Sequence, residues 1–106
     1  MAWVYLLLAG VFEIGWPLGF KLSQQAEYRI SGIVGAIISM ALSGVLLWMA
    51  QREIPIGTAY AVWTGIGTIG TVALGIVLFA EPADALRLAC IGLIVSGIVG
   101  LKLVTP

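Results

Sequence analysis

Four apolar stretches, at 2–22, 31–50, 57–80 and 86–104, take up most of this 106-residue sequence and leave it one architecture to adopt. A helix needs roughly 20 mostly apolar residues to cross ~30 Å of hydrocarbon. In lipid every backbone N–H and C=O must be satisfied within its own segment, so runs of this length read as spanning helices. Only 9% of the residues are charged, where a soluble domain carries about 25%. Most of those charges gather in the connectors SQQAEYR, QREIP and AEPAD. The expectation is an all-α membrane protein, one domain over residues 1–106, with four transmembrane helices and no water-soluble portion. The opening Met-Ala-Trp-Val lacks the basic segment and cleavage site of a signal peptide, so the first span is expected to be retained.

Several classes of chemistry have no residues to support them. The sequence holds no histidine and one cysteine, Cys90, which removes an intrachain disulfide and a Cys/His metal site. Cys90 lies in the fourth apolar run and reads as a small packing residue. Residues 65–70, GIGTIG, match G-x-G-x-x-G literally. That pattern binds dinucleotides only between a strand and a helix, and here it sits inside a membrane span. Its glycines read instead as sites of close packing or of a bend. No enzymatic activity, cofactor, metal or nucleic-acid partner is expected.

The distribution of positive charge sets orientation weakly. Lys21, Arg29 and Arg87 fall on one side, and Arg52 and Lys102 on the other. Basic residues favour the cytoplasmic side, and three against two specifies almost nothing. Two readings stay open: a weak single orientation, or insertion both ways with pairing to an inverted copy. Size favours partnership, because four helices cannot surround a translocation cavity and also bury its polar lining. Transporters commonly place their site near the midplane between two inverted halves. An antiparallel homodimer would supply both halves from one sequence.

Against this background Glu13 is costly. It lies about ten residues into the first span, ~15 Å along a helix rising ~1.5 Å per residue. A charged side chain near the bilayer centre costs on the order of 2.5–3.5 kcal/mol. Such a carboxyl is driven to hold a proton or a cation, and each weakens the binding of the other. A structural glutamate bonded within the bundle is the alternative. Gly10 and Trp16, at i−3 and i+3, share its face. Trp16 can donate its indole N–H to the carboxylate and offer a π-face to a cation. Pro17 has no N–H, so the carbonyl of Glu13 loses its helical partner and the helix can kink there.

Small residues recur along the second span at Gly32, Gly35 or Ala36, Ser39 and Ser43, a stripe that lets another helix approach closely. Ser43 lies deep enough to hydrogen-bond a carboxylate. The third span opens GTAYAVWTGIG and puts Tyr60 and Trp63 on one face, as interface anchors or as a cavity lining. In the fourth, Ala89, Cys90, Ser96, Gly97 and Gly100 form a ridge suited to dimer packing, and Lys102 can snorkel to the headgroups.

Over essentially its whole length the sequence resembles the small multidrug resistance family. The resemblance rests on four short spans, one membrane glutamate in the first, and PIGTAYAVWTGIG opening the third. GVFEIGW, with Gly10, Glu13 and Trp16, and the following GFK resemble the guanidinium-exporting branch; the drug-exporting branch has a small residue or threonine at the Trp16 position. The resemblance implies an antiparallel, dual-topology homodimer, multi-pass in a bacterial inner membrane, exchanging protons for guanidinium-type cations. Glu13 would be the shared proton and substrate site, held by Trp16 and Ser43. Tyr60 and Trp63 would line portal and pocket, and the fourth span would form the main dimer contact. Two positions depart from the family pattern: Pro17 replaces a small residue, commonly alanine, and Cys90 stands where some relatives have glycine.

Three other functions compete. A broader exporter of quaternary ammonium and aromatic cations is argued against by Trp16 and left open by Pro17. A proton-conducting rotor subunit also needs one membrane carboxylate, though typically on the second helix of a two-span hairpin. A structural or accessory membrane subunit would leave Glu13 indifferent to any cation.

Overall fold

Helices begin and end where the apolar runs meet turn chemistry. The computed structural model describes residues 1–105 and comprises α1 (Ala2–Ser23), a 3-10 turn (Ala26–Tyr28), α2 (Arg29–Ala50), α3 (Ile56–Phe79) and α4 (Ala85–Val104). All four long helices are long and apolar enough to cross a membrane. The second differs from its expected range: it starts at Arg29 rather than 31, directly after the 3-10 turn. Pro55 immediately precedes α3, where its missing N–H costs no helical bond. Asp84 caps α4 by accepting from the Arg87 backbone N–H at 2.8 Å.

The α3–α4 turn is built around a left-handed residue. Ala80 has φ 55°, and the Glu81 N–H returns to the Gly75 carbonyl at 3.1 Å, closing the helix end. A residue with a Cβ in that conformation costs roughly 1–2 kcal/mol, which the surrounding contacts must offset. Arg87 supplies them. Its guanidinium donates to the Pro82 carbonyl at 2.7 Å and to Glu81 Oε1 at 2.7 Å.

The helices make a slab rather than a closed bundle. Principal extents are 47 × 34 × 16 Å, and the thinnest is little more than the ~10–12 Å of one helix with its side chains. α1 lies between α2 and α3, while α4 packs along α3 and reaches α1 through Lys102 over the Trp3 ring. No residue of α4 is buried. The α1–α2 contact is backbone-close: a Cβ added to Gly19 would meet the Gly32 carbonyl oxygen at 2.5 Å. Gly32, Ala36 and Ser43 are buried along it, with Ser39 half-buried. Gly35 faces open space, so Ala36 and not Gly35 belongs to the stripe.

An apolar core of Ala2, Leu6, Ala50, Ile54, Ala59 and Val62 sits at the end where α2 turns into α3. Cations mark the slab's two ends. Lys21 lies 5.7 Å from the Phe79 ring centre, joining the C-terminal ends of α1 and α3. Lys102 lies 4.7 Å from that of Trp3 at the opposite end, so the helices alternate in direction.

Candidate cation-binding site

Glu13 lies midway along α1, and its Oε1 accepts a hydrogen bond from Trp16 Nε1 at 2.7 Å. Spacings of three and four place Glu13, Trp16 and Phe20 on one face. The Phe20 ring meets Trp16 edge-on, with centroids 5.8 Å apart, and so fixes the indole that holds the carboxylate. Across from it stands Gly67 of α3, where a Cβ would come within 2.6 Å of Glu13 Cγ.

Between the two helices is an open cleft of about 290 Å³, walled by Glu13, Trp16 and Pro17 from α1 and by Thr64, Gly67, Thr68 and Thr71 from α3. No lysine or arginine lines it, and among the described residues the only ion pair is Arg87–Glu81. The electrostatic balance is therefore one-sided: a carboxylate, an indole N–H and a row of hydroxyls, with no resident positive charge. A small cation is the complement such a wall accepts. A second groove of about 220 Å³ shares Pro17 and Thr71 with the first and runs to Lys21, Phe79 and Glu81. The α1–α3 seam is thus open from mid-span to one end of the slab.

Ser43 is placed differently from the expectation that it would hold Glu13. Its hydroxyl donates to the Ala9 carbonyl at 2.7 Å and accepts from Trp63 Nε1 at 2.8 Å. With 1% exposure it is a buried relay tying α2 to α1 and α3. Trp63 stacks at a tilt against Tyr60, with centroids 5.5 Å apart, and neither ring lines the Glu13 cleft. Tyr60 is exposed on the slab face. Gly10 does not line the cleft either; it is buried against Ile66. Pro17 lies inside a helix that runs unbroken from Ala2 to Ser23, and it lines both grooves.

The glycines of 65–70 each make room for a named neighbour: Ile98 of α4 at Gly65, Glu13 at Gly67 and Ile14 at Gly70. On α4, Cys90 is exposed, and positions Gly97 and Gly100 have nothing within 4 Å of an added Cβ. Ser96 donates to the Gly92 carbonyl at 2.8 Å. The cleft-lining threonines Thr64, Thr68 and Thr71 are absent from the sequence expectations. Their i, i+4, i+7 spacing, flanking Gly67, is the signal that marks them as one face.

Residues 1–94 match the family described as Small Multidrug Resistance protein. The chain is 48% identical over 103 residues to a protein of Yersinia pseudotuberculosis serotype I (strain IP32953) named guanidinium exporter, covering 97% of this chain and 98% of that one. It is 46% identical over 105 residues to guanidinium exporters of Escherichia coli (strain K12) and Salmonella typhimurium, covering 99% of each chain.

Proposed function

The chain belongs to the small multidrug resistance family, and from that premise we propose that it exports guanidinium or small substituted guanidinium cations in exchange for protons. Its four spanning helices make it a multi-pass membrane protein, which we assign to the inner membrane of a bacterium. The observation that carries the reading is the Glu13–Trp16 pair on the wall of an open cleft without a resident cation.

Guanidinium is planar and presents paired N–H donors that match carboxylate oxygens bidentately. Glu13 offers those oxygens, and Trp16 orients the carboxylate by donating to one of them. The same carboxylate holds a proton when the cation is absent, so the two ligands compete for one group and transport of each drives the other. Pro17 lines both connected grooves, which favours substituted guanidiniums whose tail lies along the seam toward Phe79. The wider alternative, export of quaternary ammonium and aromatic cations, makes no use of the bidentate match.

The working unit is an antiparallel, dual-topology homodimer. A slab with a half-open cleft and a helix with no fully buried residue needs a second layer, and the inverted copy provides it. The dimer contact runs along α4 through Cys90, Ser96, Gly97 and Gly100. Beside it lies a groove of about 540 Å³ lined by Leu93, Gly97, Gly100 and Val104.

Reconstitution into proteoliposomes tests the mechanism directly. With one Glu13 from each subunit, two protons exchange per cation, and the reversal potential reports that ratio. A ratio of one proton per cation contradicts the shared-site mechanism, as does coupled uptake retained by Glu13→Gln.

A further inference from the structure

Among the described residues one buried side-chain oxygen has no hydrogen-bond partner, Thr64 Oγ1, and Thr64 belongs to the wall of the Glu13 cleft. We propose that the Thr64 hydroxyl is a selectivity group of the cation site, accepting a hydrogen bond from an N–H of the guanidinium that Glu13 holds.

Thr68 and Ser96 show the bond open to Thr64, whose oxygen differs from the other unbonded helical hydroxyls in being buried. A serine or threonine in a membrane helix ordinarily satisfies itself on a carbonyl one turn back. Thr68 does so on the Thr64 carbonyl at 2.8 Å, and Ser96 on Gly92 at 2.8 Å. Thr64 has the same option and does not take it. A buried hydroxyl left unpaired is destabilising, and lipid supplies no water to relieve it. The group is therefore held in reserve on a residue that shares the cleft with Glu13.

The chemistry of the cation says what it is reserved for. A carboxylate engages one edge of guanidinium through two N–H groups, and the remaining N–H groups require acceptors elsewhere. The indoles of Trp16 and Trp63 only donate, and both are already engaged with Glu13 and Ser43. Thr64 stands one turn before Gly67, the residue that Glu13 packs against, so its side chain belongs to the α3 wall of the same space. Its oxygen is closed off as the cleft stands. Helical threonine populates two χ1 rotamers, and moving between them redirects the oxygen at little cost. A site that hydrogen-bonds its substrate discriminates strongly against analogues lacking the donor, because its own polar group then stays unpaired. A quaternary ammonium has no N–H and gains nothing from Thr64.

This inference rests on the guanidinium reading of the cleft. The test uses the purified full-length protein and titrates guanidinium and tetraethylammonium calorimetrically into wild type, Thr64→Val and Thr64→Ser. Valine keeps the shape of threonine and removes an unpaired group, so the variant folds; an unchanged elution volume verifies it. Thr64→Val is expected to weaken guanidinium binding about tenfold, the scale of one hydrogen bond to a charged group. Tetraethylammonium binding should stay as in wild type, and Thr64→Ser should restore guanidinium. If tetraethylammonium does not bind at all, the contrast between valine and serine decides alone. Unaltered guanidinium binding in Thr64→Val, or equal weakening of both cations, overturns the role of Thr64 and leaves the export reading standing. Wild type that binds no guanidinium overturns both.

Discussion

Gly67 on α3 makes the space that Glu13 on α1 occupies: a Cβ there would stand 2.6 Å from Glu13 Cγ and 3.3 Å from its Cβ. Neither of those atoms is the free end of a flexible chain. Both lie near the α1 backbone, so relief requires Glu13 to swing or the helices to part.

Gly67→Ala should therefore dislodge the carboxylate from Trp16. Loss of that charged hydrogen bond predicts guanidinium binding at least ~10-fold weaker. Gly44→Ala is the control, because nothing lies within 4 Å of a Cβ added there. Calorimetric titration of both variants checks the claim, and equal affinities for the two would show that Glu13 does not depend on Gly67.

Trp16→Phe separates the indole N–H from the bulk of the ring. Phenylalanine retains an edge-on contact with Phe20 but cannot donate to Glu13 Oε1. A hydrogen bond to a charged group contributes about 1.5–3 kcal/mol, so substrate affinity should fall roughly 10- to 100-fold. Secondary structure by circular dichroism should be unchanged. Wild-type affinity in this variant would mean that the carboxylate needs no orienting donor.

The spans were legible because the burden lipid places on a backbone is one-dimensional: run length and polarity locate a helix without reference to its neighbours. α3 and α4 each begin one residue before their expected ranges, at Ile56 and Ala85. The Glu13–Trp16 bond was legible for a related reason, since both ends belong to one helix and spacing alone brings them together. Ser43 shows where such reading stops. Its depth suits Glu13, but its partner is decided by how α2 is rotated against α1, and that rotation presents it to Ala9 and Trp63. Gly35 and Ala36 differ by the same 100° of helical rotation, and only the packed structure distinguishes them. Thr64, Thr68 and Thr71 carried a periodic signal, but threonines in a span draw less notice than a lone acid beside them.

Ser43→Ala should destabilise the fold more than its size suggests. One hydroxyl accepts from the Trp63 indole and adds a second bond to the Ala9 carbonyl, and removing it leaves the indole N–H without its acceptor, while the carbonyl keeps its helical partner in α1. An indole N–H left unpaired costs about 1–3 kcal/mol when buried, and loss of the extra bond to the carbonyl adds to it. Unfolding midpoints in detergent should drop accordingly. In a double-mutant cycle Trp63→Phe should cost much less on the Ser43→Ala background than on wild type, because the shared bond is already gone. Strict additivity of the two losses would place Trp63 outside the relay.

The unoccupied glycines of α4 provide the test of assembly. A Cβ at Gly97 or Gly100 meets nothing within 4 Å inside the protomer, so bulk added there leaves the slab itself intact. Within a membrane, small residues matter because they let two helices approach closely, and a leucine at the contact forces them apart. Gly97→Leu should thus keep its helicity while losing the dimer in cross-linking of detergent-solubilised protein. It should lose transport as well, because the inverted copy that completes the cleft is then missing. Transport retained by a demonstrably monomeric Gly97→Leu would show that one slab suffices. Dimers that persist at wild-type abundance would move the contact to another face.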